Sequence, residues 1–221
     1  MALKFDQKFG VKEVADVAFY NQGDVKYNKT SGEIEIVGSK TPVLVFSTLK
    51  TSGLEFTGET TEARGGKGNA ILMSWDHSRE ATLTLEDALL STESLATMLS
   101  NKPASDVGEF TTISINANGF PGTYTVVGKT YARGVDGKDH IMTFLVFKAK
   151  VSAEANIEMS ADGDPSTLNM TLKVLRCTDD QKDLELGAES GDMVKLIFDN
   201  NDGNEKTPSY KFPGSDTTYG G

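Results

Sequence analysis

The sequence predicts a mainly β protein, and three features lead to this prediction. From Val151 to Leu175, apolar and polar residues alternate on both sides of a central turn. This period of two is typical of strands that each keep one face in a core. The 22 glycines and 6 prolines suit many short strands joined by turns. Asp87–Asn101 has the best helical pattern in the sequence, although Val11, Val14, Ala15 and Ala18 also fit one helical face.

The first half of the chain is expected to hold several short strands. They are predicted at Asp16–Tyr20, Glu33–Val37, Val43–Phe46, Ile71–Trp75 and Glu80–Leu85. Between residues 49 and 69 the apolar signal fades into Thr, Ser, Glu and Gly. This composition predicts a long inter-strand loop, and such loops are often functional.

A single helix is predicted over residues 87–101. Ser91 or Thr92 can cap it, and Leu95, Met98 and Leu99 form its apolar stripe. Pro103 then prevents the helix from continuing.

The second half is predicted to be β again. Strands are expected at Phe110–Ala117, Thr123–Arg133, Ile141–Lys148 and Val194–Phe198, in addition to the two arms of the 151–175 hairpin. Asp136-Gly137 lies between two of these strands and predicts a hairpin turn. Residues 199–221 are polar and Gly-rich, which favours a C-terminal arm.

Composition excludes several classes of function. With 22 basic and 32 acidic residues, the formal net charge is −10, which argues against a nucleic-acid-binding protein. An acidic surface would still let a phosphate backbone slide past it, because like charges repel. The single cysteine, Cys177, excludes an intramolecular disulfide and fits a reducing compartment. No signal peptide and no membrane-spanning segment is expected.

No motif predicts catalysis. The segment Arg64–Asn69 is rich in glycine but lacks the Gly-Lys-Ser/Thr ending of a phosphate-binding loop, so a turn is favoured. His77 and His140 lie far apart and outside any zinc-ligand spacing. Asp76-His77-Ser78 contains the residue types of a hydrolase triad, but adjacent residues cannot adopt that geometry. We therefore expect no enzyme, no metal and no cofactor.

Two stretches of sequence resemble a known family. They run from Gly66–Ala70 into Glu80–Leu89, and from Lys148–Val151 to Leu168. Together with the order of strands, loop, helix and hairpins, they resemble the major tail tube proteins of tailed bacteriophages and the tube proteins of contractile injection systems. The resemblance covers most of residues 14–198.

The resemblance implies a two-sheet β-sandwich or partial barrel with one flanking α-helix and a long inter-strand loop. It places this domain in residues 1–198, followed by a polar C-terminal arm at 199–221. Such subunits form stacked hexameric rings of a tail tube through which DNA passes without specific binding. The implied partners are other copies of the chain and tail proteins such as the tape measure, sheath or baseplate, with no membrane. The implied location is the virion, after assembly in the host cytoplasm.

Two sets of residues are candidates for such a role. An acidic channel wall would keep DNA from adhering, and Glu33, Glu35, Glu154 and Glu158 are its candidates, although they could equally face outside solvent. In this family the long loop contacts the next ring. The candidates in residues 49–69 for that contact are Leu54, Phe56, Glu59, Glu62, Arg64 and Lys67.

Two alternatives stay open at the level of sequence. One is another tail component of the same fold, such as a tube terminator, initiator or baseplate hub. The other is a non-enzymatic β-sandwich that binds carbohydrate or a partner protein through exposed aromatics. Several of the 11 Phe lie in predicted strands, where a core would place them.

Overall fold

A computed structural model of the protein describes residues 8–89, 91–100, 102–152, 167–180, 186–199 and 209–219. It confirms a mainly β architecture with one short helix. The strands are β1 (Phe9–Val11), β2 (Asp16–Asn21), β3 (Val25–Tyr27), β4 (Ile34–Ile36), β5 (Leu44–Phe46), β6 (Leu49–Gly65), β7 (Ala70–Asp87), β8 (Ser105–Val107), β9 (Phe110–Thr112), β10 (Thr123–Gly134), β11 (Asp139–Val151), β12 (Leu168–Leu175), β13 (Val194–Phe198), β14 (Tyr210–Lys211) and β15 (Thr218–Tyr219). The helix is α1 (Thr92–Leu99).

An antiparallel nine-stranded sheet organises the fold. Its main order is β5-β2-β10-β11-β12-β7-β6, while β1 pairs with β10 and β13 pairs with β11. The long strands β10 and β11 form the central hairpin, closed by the predicted turn at Gly137, whose φ is +79°. Three smaller two-stranded sheets join β3 to β4, β8 to β9 and β14 to β15.

The nine-stranded sheet folds over on itself to make the sandwich. Strands β5 and β7 stand five places apart, which would separate them by about 24 Å in a flat sheet. Instead, two residues link β5 to β6, and the hydroxyl of Thr48 donates a 2.6 Å hydrogen bond to Asp87. The backbone N–H of Ala15 also donates to the hydroxyl of Ser52, across the same join. Within the described residues the end strands β5 and β6 do not pair with each other, so the sheet does not close into a barrel.

The inside of this fold is the inner core. It contains Phe19 of β2 and Val126 of β10 from one half of the sheet, and Leu172 of β12 and Leu83 of β7 from the other half. All four side chains are essentially inaccessible to solvent. Met98 of α1 is buried against the same cluster. The alternation predicted for β12 is confirmed, since Leu168, Met170, Leu172 and Val174 are all buried. The other arm, residues 153–166, lies outside the described residues.

The opposite face of β10 and β11 carries the outer core. Tyr20, Leu145 and Phe147 lie there and are covered by β3–β4, by residues 186–188 and by β14–β15. Tyr210 and Phe212 are buried in this cluster. Residues 209–219 of the predicted C-terminal arm are therefore part of the folded domain. Two aromatic anchors are enough to dock a short hairpin whose other residues are polar.

Residues 49–65 form strand β6 instead of the predicted loop. Hydrogen bonding to β7 along the whole length satisfies the backbone, with Leu49 opposite Asp87 and Gly65 opposite Ala70. Alternation is absent from the sequence because residues 55–64 are exposed on both faces. The strands predicted at Ile71–Trp75 and Glu80–Leu85 are two parts of β7.

The helix is shorter than predicted. Asp87 still belongs to β7, and α1 begins after the cap residue Ser91, whose hydroxyl accepts from the N–H of Ser94 at 3.0 Å. The strand predicted at Phe110–Ala117 is also shorter, ending at Thr112. No helix within the described segments has the length and apolar character needed to cross a membrane.

Candidate assembly surfaces

The outer part of the β6–β7 hairpin projects from the sandwich as a two-stranded ribbon, which we define as residues 55–80. Within β7, the side chains alternate between buried and exposed from Ala81 to Asp87, but from Ala70 to Glu80 all are exposed. The ribbon has 11 residues on each strand, 55–65 and 70–80, and extends about 35 Å from the sandwich. The ribbon therefore has two solvent-accessible faces.

A bulge at the base of the ribbon decides which residues share a face. Thr57 pairs with Glu80 and Glu59 pairs with His77, so β7 contains one extra residue at this point. Ser78 takes the left-handed conformation there, with φ of +54°. Because of this extra residue, the side chains of His77 and Trp75 lie on the same face as that of Glu80. Without it, they would lie on the face of the buried Ala81.

One face of the ribbon is apolar. Met73 and Trp75 lie opposite Ala63 and Thr61, and they are 64% and 48% exposed. Ile71 and Leu72 add further exposed apolar surface next to the tip. Adjacent exposed apolar side chains of this size are typical of surfaces that bind another protein.

Cross-strand polar contacts stiffen the rest of the ribbon. The hydroxyl of Thr60 donates to Asp76 at 2.6 Å. Nε2 of His77 lies 3.3 Å from a carboxylate oxygen of Glu59 on the opposite strand. Arg64 donates two hydrogen bonds to Glu62, at 2.6 and 3.0 Å. Each exposed contact is weak, but they hold the two strands in one register.

The ribbon ends in a glycine-rich tip. Gly66, Gly68 and Asn69 all have positive φ, and the N–H of Asn69 donates to the carbonyl of Gly66. This confirms a turn in place of a phosphate-binding loop. The exposed Lys67 lies in the turn.

A second hairpin, residues 105–112, is exposed over its whole length. Val107 pairs with Phe110, and these side chains are 62% and 74% exposed. Nearby in the chain, Ile115 and Phe120 are exposed as well. This surface was not predicted, although apolar residues scattered through the polar segment between Pro103 and Gly122 could have indicated it.

A groove of about 610 Å³ separates this second hairpin from the sandwich. Side chains of α1, of the second hairpin and of the ends of β2 and β10 line it. Two of its charged residues are acidic, Glu93 and Asp106, and one is basic, Lys102. The hydroxyl of Thr111 donates to Asp106 at 2.8 Å and fixes that carboxylate.

The structure describes two of the four candidate channel-wall residues. Glu33 is exposed, and Glu35 is partly exposed on the neighbouring β4. Glu35 accepts a 2.6 Å hydrogen bond from Asn28 and lies 3.3 Å from Nζ of Lys26, and these two contacts lower its pKa. Glu154 and Glu158 lie outside the described residues.

The six candidates for contact between rings divide into two groups. Leu54 is partly buried and packs against the inner core at the base of the hairpin. Phe56, Glu59, Glu62, Arg64 and Lys67 all lie on the exposed ribbon. Their role in assembly stays a prediction.

Two buried polar clusters hold the domain together. Asp139 is almost fully buried and is flanked by Lys12 at 2.9 Å and by Arg133 at 3.1 Å. The hydroxyl of Tyr210 donates to Asp16 at 2.5 Å and so anchors the C-terminal hairpin. Among the described residues, no group of three His, Cys, Asp or Glu side chains is arranged to bind a metal.

Comparison with known proteins gives one family. A model described as the YomU/Tube protein family matches residues 9–110 and 107–185. These matches cover strands from both halves of the sandwich, together with the ribbon, α1 and the second hairpin. No curated protein matches the chain.

Proposed function

Because the chain belongs to the YomU/Tube protein family, we propose that copies of this phage tail tube-like structural protein form hexameric rings that stack into a tube for DNA. The match over most of the chain is the observation that carries the proposal. It agrees with the resemblance found in the sequence and with the mainly β fold.

Unpaired backbone supports association between subunits. Strand β6 ends the nine-stranded sheet, and in the described part of the chain no strand pairs with its outer edge. A free edge of this length is a template for strand addition by another chain. In a ring, each subunit would offer its edge to the next, so that no edge stays open.

Exposed apolar side chains support the same proposal. Met73 and Trp75 on the ribbon, and Val107 and Phe110 on the second hairpin, remain in water in the isolated subunit. Burying them between copies would be favourable, since each square ångström of apolar surface removed from water contributes about 25 cal/mol.

The channel wall is the finer part of the proposal. Glu33, Glu35, Glu154 and Glu158 would repel phosphates and let DNA move, with the net charge of −10 acting in the same direction. Of the two described residues, Glu33 would contribute more, because Lys26 partly neutralises Glu35. Other tail proteins, such as the tape measure, sheath or baseplate, would bind the tube within the virion.

Electron microscopy and sedimentation of the purified protein test the assembly. We expect rings with six-fold symmetry, and tubes as the protein concentration rises. A protein that stays monomeric at all concentrations, and that lies outside the tube in the parent particle, would contradict the proposal. One or two rings per particle would instead indicate a tube terminator, an initiator or a hub.

Charge reversal tests the channel wall separately. Glu33→Lys should leave tube formation intact and slow DNA ejection from particles that carry the variant. Asp179→Lys is the matched control, because Asp179 is also exposed and the change in net charge is the same. Equal ejection by both variants would place Glu33 outside the channel.

A further inference from the structure

The methionines of this chain differ sharply in their exposure to solvent. Five of the 7 lie in the described residues, namely Met73, Met98, Met142, Met170 and Met193. Met98 and Met170 are 2% and 1% exposed in the inner core, and Met142 and Met193 are partly buried. Met73 is 64% exposed. Among the described methionines, Met73 is therefore the one that a reagent in solution reaches most easily without opening of the fold.

The surroundings of Met73 leave its side chain uncovered. Met73 pairs across the ribbon with Ala63, whose methyl group is too short to cover the thioether at the end of the methionine. Residues 70–80 are all exposed, and within the described part of the chain no third strand pairs with the ribbon at this point. Neither a neighbouring strand nor the core shields the sulfur.

We propose that Met73 is a site of reversible oxidation, with hydrogen peroxide as the oxidant. The sulfur donates an electron pair to one peroxide oxygen, so that an S–O bond forms and the O–O bond breaks. The proton of the new S–OH group passes to the leaving hydroxide, which becomes water. Methionine is thereby oxidised to methionine sulfoxide and the peroxide is reduced, and methionine sulfoxide reductases reverse the change.

Oxidation at this position would alter the apolar face of the ribbon. Met73 and Trp75 lie on that face, opposite Ala63 and Thr61. A sulfoxide is polar, and its oxygen is a hydrogen-bond acceptor. Burying that oxygen against apolar groups of another copy would remove its water without replacing the hydrogen bonds, which is unfavourable. Oxidation of the free subunit should therefore weaken assembly, and this part of the inference rests on the proposed tube function.

Peroxide treatment of the free subunit tests the site itself. The protein is kept below the concentration of assembly and treated with dilute hydrogen peroxide, and peptide mass spectrometry follows each methionine with time. We expect Met73 to form the sulfoxide at least about tenfold faster than Met98 and Met170, because the folded core excludes the peroxide. In urea-unfolded protein the three rates should converge. Equal rates in the folded protein would overturn the inference.

Two substitutions at position 73 test the effect on assembly. Met73→Leu keeps an apolar side chain that cannot form a sulfoxide, so peroxide should leave its assembly unchanged. Met73→Gln is polar and of similar length, and it should raise several-fold the protein concentration needed for tubes without any oxidant. Met98→Leu is the matched control, because it removes a buried methionine and should stay as sensitive to peroxide as the wild type. Circular dichroism checks that each variant is folded.

The outcomes separate this inference from the function on which part of it rests. Oxidised wild-type protein that assembles at an unchanged concentration would overturn the effect on assembly. An equal loss in peroxide-treated Met73→Leu would overturn the assignment to Met73, and recovery of the oxidised wild type with a reductase would support it. If untreated wild-type protein forms no tubes, the tube function and the effect on assembly both fail. The oxidation rates in the free subunit still decide the modification site in that case.

Discussion

The two halves of strand β7 have the same backbone structure and opposite environments. From Ala81 to Asp87, β7 lies between β12 and β6, and every second side chain is buried in the inner core. From Ala70 to Glu80 it pairs only with β6, and every side chain is exposed. The inner half is stabilised by burial of apolar surface. The outer half relies on backbone hydrogen bonds, cross-strand contacts and the support of its base.

This difference separates residues that fold the subunit from residues that stay exposed on the isolated chain and that the proposed tube would use as contacts. Leu83 and Leu72 occur in one strand, but only Leu83 is removed from water in the isolated chain. A two-stranded ribbon is marginally stable by itself, because it has no third strand or helix to cover a face. The ribbon is therefore expected to gain order and stability when another copy covers it.

The largest effect should come from removing a buried aromatic in the outer core. Phe212→Ala should lower the free energy of unfolding by about 3–5 kcal/mol, since it leaves a cavity where the C-terminal hairpin docks. Phe110→Ala, on the exposed second hairpin, should cost less than about 1 kcal/mol. Urea unfolding followed by fluorescence measures both. Similar losses would show that the second hairpin is packed in the subunit.

Two leucines of β7 provide the sharpest form of the comparison. Leu83→Ala should cost about 2–5 kcal/mol of unfolding free energy, because Leu83 is 1% exposed. Leu72→Ala should change it by no more than about 0.5 kcal/mol, because Leu72 is already in water. The same urea titration compares them at one protein concentration below that of assembly. A large loss at Leu72 would mean that the ribbon folds back on the body.

The pH dependence of stability should show the anchor of the C-terminal hairpin. Burial raises the pKa of Asp16 above its ordinary value of 3.8, although the hydrogen bond from Tyr210 acts in the other direction. A carboxyl group with a raised pKa in the folded state stabilises that state fully below its unfolded pKa. This contribution is lost as the pH rises through the folded pKa.

Asp16→Asn removes this titration. Relative to the wild type, the variant should therefore become more stable as the pH rises across the acid range, and the difference should be constant at neutral pH. Urea unfolding from about pH 3 to pH 7 measures the difference. Asp179→Asn, at an exposed position, should show no such trend. A difference independent of pH at Asp16 would contradict the assignment.

The smallest effect should come from the ribbon's exposed contact between Glu59 and His77. Glu59→Gln removes the contact with His77 and should change the free energy of unfolding by less than about 0.5 kcal/mol, because both side chains are well exposed. A loss above about 1 kcal/mol would show that the pair acts as a structural clamp in the subunit.

Strong periodicity made part of the fold predictable. Strands β10, β11, β12 and β13 were located to within a few residues, because their apolar and polar positions alternate or form buried runs. The ribbon was not predictable in this way, since a strand with two exposed faces has no apolar period. The C-terminal hairpin depends on two aromatic side chains in a polar segment, which is too weak a local signal.

The candidate surfaces were predictable only in part. The composition of residues 49–69 indicated an exposed functional segment, and five of its six named residues do lie on the ribbon. Simple alternation along β7 would place Met73 and Trp75 on the same face as the buried Ala81. The extra residue at the bulge near Ser78 moves them to the opposite face, and the sequence gives no sign of that bulge. Nor could it show that α1 and the second hairpin enclose a groove.

By itself, the sequence determined the β class, the acidic charge and the resemblance to tube proteins. These properties depend on composition and on patterns between near neighbours in the chain. Only the tertiary structure decided which half of β7 is buried, which face of the ribbon is apolar and where the C-terminal hairpin docks. These depend on pairing between residues far apart in sequence, and one extra residue in one strand is enough to reverse them.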